Sequence, residues 1–207
     1  LQNMTILVVP YSWQILARTM SKHQSIIDGQ FMSLYYGSIG SLAKKHPNID
    51  VIIKLKRSLS PVHKRVISDA MAVAGYDLAR LRNIRFEGDL SFHDTLQQSH
   101  IVYGLNTTAL LEAAVAGRQV ILPLFSILGN LFDDLVWFSD DIDCFTVVKE
   151  PEQLERTVLN CLENPMVDDE LLKLRIELFQ KYFAIEHNVI DRTITCIDDC
   201  IKNSRSA

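Results

Sequence analysis

Asn106, Thr107 and Thr108 stand in a row between an apolar run ending Val102-Tyr-Gly104 and a helix pattern of small and aliphatic residues that carries one carboxylate, Glu112. Residues of these types at a strand-to-helix turn can receive an anion. The first N–H groups of a helix lack intrahelical acceptors, and the helix dipole adds about half a positive charge there. Asn106 is placed to cap the helix, which leaves the N–H groups near Thr107 and Thr108, and two hydroxyls, open to a phosphate. Glu112 follows Thr108 by four residues and shares its helix face. A carboxylate one turn behind a phosphate can accept hydrogen bonds from the two hydroxyls of a ribose. The competing reading is a well-capped helix with an incidental acid near its positive end.

Two further groups fall where the same ligand could touch them. Lys54 and Lys56 point the same way at the end of an apolar strand, because side chains in a strand alternate, and with Arg57 they could neutralise a phosphate. Solvated cations at a strand end explain them equally. Gly88-Asp89 with Ser91 could edge a base pocket through backbone atoms, or could simply be a turn. The six histidines show no close spacing with a nucleophile or with metal ligands. No Gly-x-Ser-x-Gly turn, Walker loop or Gly-x-Gly-x-x-Gly fingerprint is present. Trp13, Tyr35, Tyr36, Trp137 and Phe138 are expected to pack in the interior rather than stack on bases.

The elements that must position these groups follow from periodicity and punctuation. Strands are predicted at Thr5 to Pro10, Asp50 to Lys56, Asn83 to Glu87, His100 to Tyr103, Gln119 to Pro123 and Cys144 to Val148. Helices are predicted from about Phe31 to Lys45, after a Ser60 cap with Pro61 in first position and Gly75 as stop, over a short Ser91-capped stretch to Gln98, and from Thr107 to Ala116 with Gly117 as stop. Pro151 opens another through Leu162, and two charged amphipathic helices, roughly 167–183 and 187–203, finish the chain. Tyr11 to Gly29 reads as irregular, with room for a short helix or a long loop at the ligand edge. Strands separated by helix-length patterns imply an α/β fold, a doubly wound parallel sheet with right-handed crossovers and C-terminal helices. Ligands of such sheets bind beyond the carboxyl ends of the strands, where the Asn106–Thr108 turn lies.

Bulk composition narrows the classes. The chain of 207 residues, 48% hydrophobic and 22% charged, is expected to form a single domain over residues 1–207, cut from a longer protein because Leu1 is not an initiator. A net charge of −4 gives no general reason to expect nucleic acid as a partner. Four cysteines without paired-thiol spacing suggest neither a zinc site nor a disulfide framework, and fit a reducing cytoplasm. Cys196 and Cys200 would share a helix face but fall short of a structural zinc set. No run approaches the roughly 18–20 apolar residues of a membrane span, and no secretory leader is visible.

Tyr103-Gly-Leu-Asn-Thr-Thr-Ala-Leu-Leu-Glu-Ala-Ala-Val-Ala-Gly117, followed by Val120-Ile-Leu-Pro123, resembles the donor-binding, C-terminal half of GT-B glycosyltransferases, closest to those of bacterial capsule and surface-polysaccharide synthesis. Gly88-Asp89 and the later run from Val147 to Leu154 extend the likeness loosely over most of the chain. It implies a Rossmann-like fold and a role in moving a sugar from a nucleotide-sugar donor to a glycan acceptor. Thr107 and Thr108 would hold the donor phosphate and Glu112 would approach the ribose, with no cofactor and no metal required. The implied partner is an N-terminal acceptor domain of the same parent protein, which would supply the catalytic base, in the cytoplasm and peripherally at the inner membrane. The Lys-x-His-Pro motif of related sialic-acid and Kdo-type transferases is replaced by Lys54-Leu-Lys-Arg57, which counts against a CMP-sugar. A non-catalytic nucleotide-sugar-binding domain and a UDP-sugar epimerase-like enzyme share the architecture, though the epimerase serine- and glycine-rich turn is absent.

Overall fold

The computed structural model describes residues 4–10, 22–55, 60–105, 107–128, 139–165 and 167–183. Strand β1 (Met4–Val9) is a run of aliphatic residues ended by Pro10, and Ile6, Leu7 and Val8 are fully buried. β4 (Ile101–Gly104) is apolar throughout, β5 (Gln119–Pro123) is apolar after Gln119, and β2 (Ile49–Lys54) buries Val51, Ile52 and Ile53 between half-buried Asp50 and Lys54. β3 (Ile84–Glu87) and β6 (Thr146–Val148) are shorter and partly exposed. Composition and position agree: a strand covered on both faces reads as a continuous apolar run, whereas an edge strand tolerates Arg85 and Glu87.

All pairings are parallel, in the order β3-β2-β1-β4-β5-β6. The chain winds outward from β1 to β3, then returns to the centre and winds the other way from β4 to β6. Right-handed crossovers therefore place the helices of the first half on one face of the sheet and the helix between β4 and β5 on the other. The predicted doubly wound α/β sheet is what forms.

Helix α1 (Lys22–Lys45) packs against α2 (Ser60–Val73) and α5 (Gln153–Glu163). The first two close together because Gly37 and Gly40 carry no side chain: a Cβ on Gly37 would lie 2.7 Å from the Ala74 Cβ, and one on Gly40 would lie 2.7 Å from the Tyr76 ring. α2 stops at Gly75, whose φ of 85° is a conformation open to glycine. The Asn83 amide then bonds the carbonyls of Ala43, His46 and Ile49, tying the α1–β2 turn to the start of β3. On the opposite face the short α3 (Phe92–Gln97) leads into β4, and α4 (Thr108–Val115) packs against α6 (Asp169–Phe183).

Several boundaries differ from the sequence reading. α1 begins at Lys22 and runs through Gly29, within the stretch read as irregular with room for a short helix or a long loop, and is continuous with the helix expected from Phe31. One glycine costs a helix only about 1 kcal/mol, so Gly29 alone does not stop it. The last strand contracts to Thr146–Val148, because residues from Ser139 to Cys144 fold as 3-10 turns carrying Asp140 and Asp141. Asp133-Asp134, the expected helix over 187–203 and the cysteines within it lie outside the described residues.

Candidate functional site

The order of strands reverses between β1 and β4, and a doubly wound sheet opens its ligand crevice beyond the carboxyl ends of the two strands at that point. Val9 ends β1 opposite Gly104, which ends β4. The two ends touch closely: a Cβ on Gly104 would lie 3.2 Å from the Val9 Cβ, 3.3 Å from the Val9 carbonyl oxygen and 3.1 Å from Leu110. Glycine at this position lets the backbone turn toward α4 without a side chain filling the crevice.

The turn continues into α4, where the structure corrects the cap. Thr107 is the N-cap, extended at φ −144° and ψ 143°, and its Oγ1 accepts a long 3.4 Å bond from the Ala109 N–H, while its carbonyl accepts from Leu110. The helix thus starts one residue later than a cap at Asn106 requires, and Asn106 lies outside the described residues. A β-branched threonine prefers extended backbone and caps well, so the shift fits its chemistry. The hydroxyl hydrogen of Thr107 remains available to an oxygen in the crevice. Thr108, the first helical residue, is exposed, and among the described residues nothing engages its hydroxyl. Glu112 is exposed one turn on, on the same face. The buried face of the helix, Leu110, Leu111, Ala113 and Ala114, anchors it against the sheet, and Gly117 at φ 71° ends it.

The other groups behave differently. Lys54 ends β2 half-buried, and its ammonium donates to the carbonyls of Leu55 at 3.1 Å and Glu87 at 3.5 Å. It braces two strand ends; Lys56 and Arg57 lie outside the described residues. The Gly88-Asp89 turn is closed by the Glu87 carboxylate, which accepts from the N–H groups of Asp89 at 2.8 Å and Leu90 at 2.9 Å. These bonds, from Leu90 first, hold the Glu87 carboxyl below its ordinary value. Ser91 caps α3 and pairs with Asp94, as predicted.

Two features of the same edge had no local signal. Ser126, in the 3-10 turn after β5, donates to the carboxylate of Glu150, which follows β6. Only strand pairing brings these residues together. Under the switch point, the Tyr35 ring of α1 stacks on Tyr103 of β4 at 4.7 Å, and its hydroxyl donates to the Val9 carbonyl at 2.9 Å. Tyr35 and Tyr36 are fully buried, which agrees with the packing role expected of them, while Trp13, Trp137 and Phe138 lie outside the described residues. Among the described residues no three His, Cys, Asp or Glu side chains converge as a metal site, and no helix is long and apolar enough to cross a membrane.

Comparison with solved structures follows from this geometry. UDP-GlcNAc 2-epimerase from Neisseria meningitidis, bound to UDP-GlcNAc, matches 87% of this chain with a TM-score of 0.53 at 18% identity. The C-terminal CMP-Kdo binding domain of WaaA from Acinetobacter baumannii matches 86% of it with a TM-score of 0.50 at 10% identity. The chain has a GT-B-type Rossmann fold. It spans 45% of the epimerase chain and 91% of the WaaA domain. No protein-family model and no curated protein sequence matches it.

Proposed function

We propose that this chain is the donor-binding half of a glycosyltransferase, holding a nucleotide sugar at the Asn106–Thr108 turn for transfer to a glycan acceptor. The observation that carries the reading is the exposure of Thr108 and Glu112 on one face of α4, with the helix start at the switch-point edge of the sheet. A diphosphate seated on the first turn would meet N–H groups, the Thr107 and Thr108 hydroxyls and the positive helix end. Glu112 would accept from the ribose hydroxyls. Lys54 would add positive potential from the end of β2, with Lys56 beyond it. Such a site binds the leaving phosphate more strongly as its charge develops, which lowers the barrier to sugar transfer. The base that deprotonates the acceptor hydroxyl would come from a second, acceptor-binding domain of the parent protein. The proposal involves no metal, and places the reaction in the cytoplasm or at the inner membrane surface.

A thermal-shift panel of CMP, CDP, UDP and GDP tests this. A nucleotide at about 100 times its dissociation constant should stabilise the protein by roughly 2.7 kcal/mol. Thr108→Val and Glu112→Ala should each weaken that shift, and as exposed substitutions each should change the unliganded stability by no more than about 0.5 kcal/mol. No shift with any of the four at millimolar concentration sinks the donor-site reading.

A nucleotide-sugar-binding domain without catalysis is the second reading. It is favoured by the engagement of Lys54 with strand-end carbonyls and by the missing His-Pro after it. An epimerase-like enzyme shares the fold alone. Incubating the full-length protein with radiolabelled nucleotide sugars separates the three: label passes to a glycan, the sugar is isomerised, or neither occurs.

A further inference from the structure

Beneath the carboxyl ends of β1 and β4 lies a buried polar cluster that nucleotide contacts do not explain. Tyr35 reaches from α1 to the carboxyl ends of both strands: its hydroxyl lies 2.9 Å from the Val9 carbonyl oxygen and 3.4 Å from that of Tyr103. The Tyr103 hydroxyl, in turn, lies 3.2 Å from the Ser38 Oγ, and Ser38 donates to the Tyr35 carbonyl at 2.8 Å. Tyr35 and Tyr103 are fully buried and Ser38 nearly so. The Val9 carbonyl therefore sits between the Tyr35 hydroxyl and the backbone of Gly104, where an added Cβ would crowd its oxygen at 3.3 Å.

We infer that Tyr35 is a positioning residue, whose hydroxyl sets how far the ends of β1 and β4 part and so where the Gly104-to-Thr108 turn stands to meet a nucleotide phosphate. The inference deepens the nucleotide-site reading and rests on it. The two strands lead into helices on opposite faces of the sheet, so beyond Val9 and Gly104 the ladder no longer holds them in register. A hydroxyl shared between two strand-end carbonyls replaces that constraint. Other hydroxylated side chains in the cluster satisfy each other, whereas the Tyr35 hydroxyl alone among them is aimed at strand backbone. Burial pushes the Tyr35 and Tyr103 phenols above their ordinary value, so the hydroxyl keeps its proton wherever the protein is folded at neutral pH.

The test compares Tyr35→Phe with Ser38→Ala in the full-length protein. Both remove one buried hydroxyl from the same cluster, but only the first releases the Val9 and Tyr103 carbonyls. UDP and CMP titrations and amide hydrogen exchange over residues 101–105 are the readouts. Tyr35→Phe should weaken nucleotide binding about fivefold, the loss expected for one neutral hydrogen bond, and speed exchange over 101–105. Ser38→Ala should lower the melting temperature by a similar amount and change neither readout. Unchanged exchange in Tyr35→Phe overturns the brace, and faster exchange with unchanged affinity overturns its role in positioning. Equal loss of affinity in both variants also overturns it, since general loosening would then suffice. Where the wild-type protein binds none of CMP, CDP, UDP and GDP, the donor-site reading is what fails, and exchange over 101–105 still decides whether the brace exists.

Discussion

At the scale of residues, the two ends of the sheet use buried polar groups in opposite ways. At the carboxyl ends Tyr35 braces backbone with a neutral hydroxyl. At the amino ends Arg175 of α6, only 1% exposed, does so with a charge: Nε donates to the Cys144 carbonyl and Nη1 to the Arg118 carbonyl, each at 2.8 Å. These carbonyls precede β6 and β5, so one guanidinium pins α6 across two strand entries. Nη2 is buried with no partner among the described residues, and burial pulls the group below its usual value. Arg175→Met keeps the volume and removes the donors, leaving two carbonyls unmatched. We expect it to lower stability by about 2–4 kcal/mol in urea unfolding. Unchanged stability would mean that relief of the buried charge offsets both bonds. Thr108 and Glu112 were readable beforehand because their relation is local, one helical turn. Arg175 was not, since a charge on an amphipathic helix ordinarily faces water.

At the scale of elements, α1 contrasts three glycines of one helix. Gly29 is exposed and has nothing within 4 Å of an added Cβ, so Gly29→Ala should stabilise the protein by up to about 1 kcal/mol through helix propensity. Gly37 faces the Ala74 Cβ, an atom fixed to its backbone, and Gly37→Ala should cost about 1–3 kcal/mol as α1 and α2 separate. Gly40 faces the near end of the Tyr76 side chain, with Cγ at 2.7 Å and Cβ at 3.0 Å, atoms that ring rotation does not move, so its alanine variant should cost a similar amount. Urea midpoints of the three variants check the ranking, and a Gly37→Ala protein as stable as wild type would contradict the close helix contact. The helix punctuation at Gly75, Gly117 and Ser91 was legible because caps and left-handed stops depend on a few adjacent residues. The start of α1 was not, because a single glycine costs too little to end a helix and marks no boundary by itself.

At the scale of the molecule, an ionic cluster joins elements from the two halves of the sheet at the surface. Glu155 of α5 accepts from Lys45 at 2.5 Å and pairs with His46 at 2.8 Å, at the end of α1. Hydrogen bonding from Lys45, then from His46, holds the Glu155 carboxyl below its unfolded value of 4.5, while Glu155 raises Lys45 above its ordinary 10.5. A lowered carboxylate value stabilises the fold fully above the unfolded value and is lost as pH falls through the folded one. The raised lysine stabilises below its unfolded value and is lost as pH rises through the folded one. The link between halves should therefore hold across neutral pH and weaken on the acid side. Glu155→Gln should flatten the acid limb of a urea-midpoint profile measured from about pH 2 to pH 7, and salt should shrink the difference because the groups are exposed. A wild-type and variant profile running parallel throughout would remove Glu155 from the linkage.

The sequence alone specifies the class of fold and the order of its elements, because hydrophobic period, caps and stops are written in neighbouring residues. It also specifies that Thr108 and Glu112 share a face. That β1 and β4 lie side by side at the switch point, that Thr107 is the cap, and that Lys54 is occupied by strand-end carbonyls emerges only once the chain is folded. The same holds for Tyr35, which meets Val9 and Tyr103 across 26 and 68 positions of chain. Contacts of that separation form when the whole sheet pairs, and no local period encodes them.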